Sequence, residues 1–164
     1  MIPGQGLDIT YLGLLAHSVA QEDFRIVRIG SRWADTAASL NDLAQNVVDV
    51  MDHLAVTNAW VGGHAFGGSV ARTVALDHHD RVNGVLLLGV EESALVPGAL
   101  AAGIPVLVIQ GTHDEITPAV NGEKLQAAAP GLVSVVPIEG AGHMFPETHM
   151  GATSWAIEDY LDWD

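Results

Sequence analysis

Short, nearly continuous apolar runs alternate along this chain with longer stretches whose apolar positions recur every three or four residues. The runs fall at 24–29, 59–62, 82–88, 104–109 and 133–138. They are dense in Val, Ile and Leu, as strands covered on both faces are. Between them, Leu40, Leu43, Val47, Val50 and Leu54 make one stripe of a helix that Asp35 or Thr36 can cap. Thr117-Pro118 reads as an N-cap followed by proline at the first helical position, and that helix ends near Ala129-Pro130-Gly131. A last helix carries Trp155, Ile157, Tyr160 and Leu161. The alternation predicts an α/β domain: a mostly parallel sheet of about five or six strands with helices on both faces. No repeat, low-complexity stretch or linker interrupts it, so 1–164 reads as a single domain.

Composition narrows the function classes. With 164 residues, 49% of them hydrophobic and 16% charged, the chain has the makings of a real core. Six basic residues against twenty acidic ones give a net charge of −14. Binding nucleic acid relies on Lys and Arg neutralising phosphates, so that partner is excluded, and anionic membrane surfaces are disfavoured for the same reason. No apolar run approaches the ~20 residues that span a bilayer. The N-terminus lacks a basic n-region and an apolar h-region, which makes the cytoplasm the expected location. There is no cysteine, which removes disulfides, thiol nucleophiles and thiolate metal sites.

The chemistry concentrates in three places. Gly63-His64-Ala65-Phe66-Gly67 follows the strand-like 59–62 and precedes a helical stretch. It has the shape of the G-x-S-x-G turn that lifts a serine hydroxyl from the end of a strand, with alanine at the third position. The strand at 104–109 runs into Gln110-Gly111-Thr112-His113-Asp114, and the strand at 133–138 runs into Glu139-Gly140-Ala141-Gly142-His143. Both Asp114 and His143 therefore sit just past strand C-termini, where open α/β sheets build their sites.

Elbow, acid and base in this order resemble the α/β-hydrolase superfamily over nearly the whole chain, on a minimal fold. The resemblance implies an ester or related acyl compound as substrate and no cofactor. It implies that Asp114 holds Nδ1–H of His143, that Nε2 then faces the elbow as a base, and that Ala65 stands where the nucleophile belongs. Ile2-Pro3-Gly4-Gln5-Gly6 is similar to the loop that donates one oxyanion N–H, which makes the amides of Gln5 and Phe66 the matching pair. The short 90–103 segment leaves no room for the cap domain that many relatives carry. Measured against the family, the domain is truncated at its N-terminal side: only Met1-Ile2 stand for the third strand. Either 24–29 pairs directly with 59–62, or another chain fills the gap, which makes an edge that invites homo-oligomerisation.

Each candidate also has a plainer role. Asp114 can cap its own turn. His64 reads as packing beside the elbow rather than as a catalyst, and with Trp33, His113 and Met144 it is counted among the candidate substrate-binding residues. Phe66 can add to an acyl pocket. His78-His79-Asp80 closes a helix, where histidines complement the dipole, and is read as surface rather than metal site. Glu91 and Glu92 are alternative acids or solvated loop residues. Ala65 leaves three readings open: a serine hydrolase silenced at its nucleophile, a non-catalytic module that binds a small apolar ligand, or a His143-Asp114 general base serving a lyase or isomerase. Losing such a serine costs on the order of 10⁶ in kcat.

Overall fold

The computed structural model describes residues 1–30 and 38–162. Four strands, β1 (Ala59–His64), β2 (Val82–Leu88), β3 (Val106–Gly111) and β4 (Val133–Ile138), form one parallel sheet in the order β1-β2-β3-β4. Among the described residues six α-helices surround it: α1 (Gly13–Ala20), α2 (Leu40–His53), α3 (Phe66–Asp77), α4 (Ala119–Ala128), α5 (Phe145–Thr148) and α6 (Met150–Asp162).

The apolar runs are continuous because both faces of the sheet are covered. Val85, Leu87, Val106 and Val108 point into one core, with α2, α3 and Leu125 of α4. Leu86, Leu88, Leu107 and Ile109 point into the other, with α1, Phe145 of α5, and Ala156 and Ile157 of α6. Successive residues thus feed opposite cores, which is why each of these positions is apolar. The expected α/β class, parallel sheet and two helical layers are all present. Between β2 and β3 the chain makes one 3₁₀ turn, Glu92–Leu95, and no inserted cap domain.

Two local expectations are corrected. The helix expected after Asp35 or Thr36 starts at Leu40, capped by Ser39: Asp42 N–H donates to Ser39 Oγ at 3.1 Å, and Ser39 N–H donates back to Asp42 Oδ2 at 3.2 Å. This is a reciprocal capping box. Asp35 and Thr36 lie outside the described residues. Thr117 does not cap α4, because its side chain is engaged elsewhere. The last helix carries its four apolar residues as expected: Ile157 is buried, Tyr160 and Leu161 pack against the same core, and Trp155 is 64% exposed.

The run at 24–29 is not a strand, which leaves four strands among the described residues where five or six were expected. A ladder needs a partner, and among the described residues the partner is Met1: Met1 N donates to Val27 O at 2.8 Å and Ile29 N–H donates to Met1 O at 3.0 Å. On its other side the same two-residue stub meets β1. Ile2 N–H donates to Gly62 O and His64 N–H to Ile2 O, an isolated parallel bridge to Gly63. Thus 24–29 does not pair directly with β1; Met1-Ile2 stand between them at the upper end.

Candidate active site

The turn from β1 into α3 is as sharp as the sequence pattern requires. A Cβ on Gly63 would lie 2.2 Å from the carbonyl carbon of Gly67, and one on Gly67 would lie 2.3 Å from Ile2 O. Strand, helix and N-terminal loop therefore meet at distances that only glycine allows. Ala65, between them, is held at φ 52°, ψ −112°. A non-glycine residue at positive φ is strained, and the surroundings over-determine it here. Its N–H donates to Leu88 O at 2.9 Å, and its C=O accepts from Gly68 N–H at 2.9 Å. The backbone is pinned on both sides, and the side chain that would profit from the pose is a methyl group.

Asp114, on the turn after β3, is 5% exposed. Its Oδ1 accepts from the amides of Ile116 and Thr117, each at 2.9 Å, and its Oδ2 accepts from Thr117 Oγ1 at 2.7 Å. Nδ1 of His143, from the loop after β4, lies 3.0 Å from Oδ2. Burial pushes the Asp114 carboxyl up, but the hydrogen bonds from His143 and Thr117 and from the Thr117 and Ile116 amides outweigh it and hold the pKa at about 2. An ionised carboxylate only accepts, so Nδ1 of His143 carries a hydrogen towards it. Asp114 caps its own turn and orients His143 at once; the two roles are the same set of bonds.

His64 is enclosed completely, at 0% exposure. It does not face a pocket and is corrected from wall residue to internal brace. Its Nε2 lies 2.8 Å from the backbone carbonyl of His143, and its Nδ1 lies 2.8 Å from Tyr11 Oη. The carbonyl only accepts, so Nε2 carries the hydrogen and Nδ1 accepts from the tyrosine. Tyr11 Oη in turn accepts from Gly4 N–H at 2.9 Å. Burial, with His143 next to it, pulls the His64 pKa down to about 4, and burial pushes Tyr11 up to about 12. Both stay neutral, and the chain Gly4–Tyr11–His64–His143 ties the N-terminal loop to the loop of His143. The His64 and His143 rings lie 4.5 Å apart, which puts His143 beside the elbow.

The family model described as "Alpha/beta hydrolase family" matches residues 1–151. The chain belongs to the α/β-hydrolase family. Over 50 residues it is 44% identical to RutD of Caulobacter segnis, named as a carbamate hydrolase; the match takes in 30% of this chain and 19% of that protein. The structure is similar to a CIB-like hydrolase from Thermoplasma acidophilum, with a TM-score of 0.81 and 14% identity over 98% of this chain and 84% of that one. It is also similar to a thermophilic esterase from Thermogutta terrifontis, with a TM-score of 0.77 and 19% identity over 98% and 88% of the two chains. At these identities the structural likeness speaks for the fold.

The remaining candidates are placed as follows. Gln5 is exposed in a turn closed by Leu7 N–H on Gly4 O, and Phe66 is half-buried at the first position of α3. His113 is exposed and Met144 half-buried, flanking Asp114 and His143 in sequence. Trp33 lies outside the described residues. Glu91 accepts from Ser69 Oγ on α3, and His79 is spent on Ala102 O. Among the described residues no cluster of His, Asp or Glu could hold a metal ion. No helix there is long and apolar enough to cross a membrane.

Sequence reasoning missed Thr117, Tyr11 and Gln110. Thr117 Oγ1 touches both Asp114 and His143 Nδ1, and Gly89, at φ 75°, leaves room for it: a Cβ there would lie 2.4 Å from Oγ1. Gln110 anchors the same turn from beneath, accepting from Val90 N–H and donating to Thr117 O. The Asp-x-x-Thr spacing was a readable signal, since Asp and Thr close their own turns in this way. Tyr11 has no local signal, because its partner stands 53 positions away.

Proposed function

We propose that this domain is an esterase-like hydrolase scaffold whose nucleophile position is filled by Ala65, so that the chain as written binds an acyl compound without turning it over. The observation that carries the reading is the Asp114–His143 pair at 3.0 Å, beside an elbow whose strained residue has no hydroxyl to present. A site under no catalytic demand would relax with glycine at that φ. In the Ala65→Ser form, Nε2 of His143 takes the hydroxyl proton as the oxygen attacks the acyl carbon. The amides of Gln5 and Phe66 receive the developing oxyanion. His143 then protonates the leaving group, and water hydrolyses the acyl-enzyme by the same base. The substrate is an ester or a related acyl compound, and carbamates belong on the panel because of the RutD match.

The test compares the chain with Ala65→Ser, using a fluorophosphonate probe and p-nitrophenyl esters and carbamates. The expected result is labelling and turnover only with serine, by a factor on the order of 10⁴–10⁶. Folded protein that fails to label in either form overturns the reading. Turnover by the alanine form that His143→Ala abolishes would instead make Asp114–His143 a general base acting alone.

A further inference from the structure

Strand β3 follows Val106, Leu107, Val108 and Ile109 with one polar side chain, Gln110, which is 1% exposed. A carboxamide in so apolar a strand is costly unless it is hydrogen-bonded. Its Oε1 accepts from Val90 N–H at 2.9 Å, and its Nε2 donates to Thr117 O at 2.9 Å. Both partners are backbone groups, and they belong to two different loops. One loop follows β2; the other is the turn that carries Asp114.

Residues 88–91, where β2 ends and its loop begins, touch both halves of the site. The outer two hold the elbow and its helix: Leu88 O accepts from Ala65 N–H at 2.9 Å, and Glu91 accepts from Ser69 Oγ of α3 at 2.5 Å. The inner two hold the other half. Gly89, at φ 75°, makes room for Thr117 Oγ1, which a Cβ there would meet at 2.4 Å. Val90 is bonded at its N–H by Gln110 and at its C=O by Asn121 Nδ2 of α4, at 2.8 Å. These residues are therefore a spacer between the elbow and the turn of Asp114.

On its side, Thr117 spends every polar group it has. Its N–H donates to Asp114 Oδ1 and its Oγ1 to Asp114 Oδ2, while its C=O accepts from Gln110. The first two bonds close the turn on its own carboxylate. The bond from Gln110 reaches outside the turn, to the spacer. A carboxamide suits this place because it offers an acceptor and a donor a fixed distance apart. An apolar side chain of the same volume would fill the space and leave Val90 N–H and Thr117 O without that partner.

We propose that Gln110 is a positioning residue of this site: it joins the spacer 88–91 to Thr117 and so sets Asp114 and His143 at their distance from the elbow. It acts through Val90 and Thr117 rather than on reacting atoms. Its kinetic consequence rests on the esterase reading; the placement of the Asp114–His143 pair does not. A misplacement of about 1 Å in such a constellation can cost on the order of 10² in rate. The loss should fall on kcat and spare KM, because Gln110 is buried beneath the turn.

The test compares Gln110→Met, of similar volume, with Gln110→Glu and with Ser154→Ala, which removes a buried hydroxyl on α6 bonded to Ser18 and Glu158. In the chain as it stands, the readouts are Tm and the far-downfield proton resonance of His143 Nδ1–H on Asp114. In the Ala65→Ser background they are kcat, KM and the rate of fluorophosphonate labelling. Gln110→Met is expected to shift or broaden the resonance and to lower kcat about 100-fold with KM little changed. Ser154→Ala lowers Tm and leaves the resonance and kcat as they were. Gln110→Glu supplies the rescue. Neutral, the introduced carboxyl accepts from Val90 and donates to Thr117 as the carboxamide does; ionised, it only accepts. Burial raises its pKa, so kcat should match the parent at low pH and fall as pH rises through that pKa. If Gln110→Met behaves as Ser154→Ala does at equal loss of Tm, the proposal is overturned. A Gln110→Glu form that tracks its parent through its own ionisation, followed by the carboxyl ¹³C shift, overturns it too, and decides alone should Gln110→Met not fold. An Ala65→Ser parent that never labels removes the esterase reading, and the proton resonance still decides the role of Gln110.

Discussion

The two ends of β1 are finished to different degrees. At its C-terminal end every recorded polar group has a partner: His64 is bonded at both nitrogens, Asp114 carries four kinds of donor, and Ala65 is pinned at N–H and C=O. At its N-terminal end the strand borders a cavity, and the group that stops the cavity is a buried amine. The difference teaches where the information for the site resides. Its geometry comes from short loops braced by buried side chains. A sheet edge that borders a cavity can therefore coexist with a fully bonded Asp114–His143 pair, joined through residues 1–4.

The largest effect should come from breaking the furnished end. In the Ala65→Ser background, Asp114→Asn keeps the shape of the turn but turns an acceptor-only carboxylate into an amide. Nδ1 of His143 then loses the partner that fixes its tautomer, and kcat should fall by about 10⁴-fold. Measured kcat and KM should separate, with KM little changed, because Asp114 is buried behind the base and does not face substrate. A loss below about tenfold would mean that Thr117 or His64 positions the base unaided.

How much of this was legible follows from the range of each interaction. The four strands were readable because two covered faces demand unbroken apolar runs, and Asp114 and His143 were readable because each ends such a run. The cap at Ser39 was missed although its Asp42 partner is three residues away, since Asp35 and Thr36 offered equally good side chains. The run at 24–29 has strand composition yet forms no strand, because strand state depends on a neighbour that composition does not contain. Tyr11 and His64 were invisible as a pair: a hydrogen bond across 53 positions leaves no periodicity.

The next effect tests the joint between the two ends. Gly67→Ala would place a Cβ 2.3 Å from Ile2 O and 2.6 Å from Pro3 O, both backbone atoms that cannot step aside singly. The substitution should destabilise by about 3 kcal/mol or more, the upper end for overpacking, since one of α3 or the N-terminal loop must move. Chemical denaturation gives the size, and amide exchange gives the place. If the two ends are one unit, Gly4 and Gly62 should both lose protection. Loosening confined to α3 would separate them and break the comparison.

The smallest effect separates the two buried nitrogens by pH. His64 has its folded pKa drawn down to about 4 from an ordinary 6.5, so the folded state prefers its neutral form. Its share of stability is full above pH 6.5 and is lost as pH falls towards 4, because below 6.5 the unfolded chain binds a proton that the folded chain refuses. The loss amounts to about 3 kcal/mol across that window. The Met1 amine acts in the same direction over a higher window, from 8 down to about 5. A stability profile of the chain as it stands should therefore begin to decline below pH 8. N-terminal acetylation removes the Met1 share and leaves a decline that starts near 6.5. In that acetylated form Asp114, at about pKa 2, keeps its charge throughout and contributes no slope between pH 6.5 and 5. His64→Gln should flatten the lower window alone, if a carboxamide can still bond the His143 carbonyl. A profile insensitive to acetylation would place the Met1 nitrogen in water, and with it the slot that the amine closes.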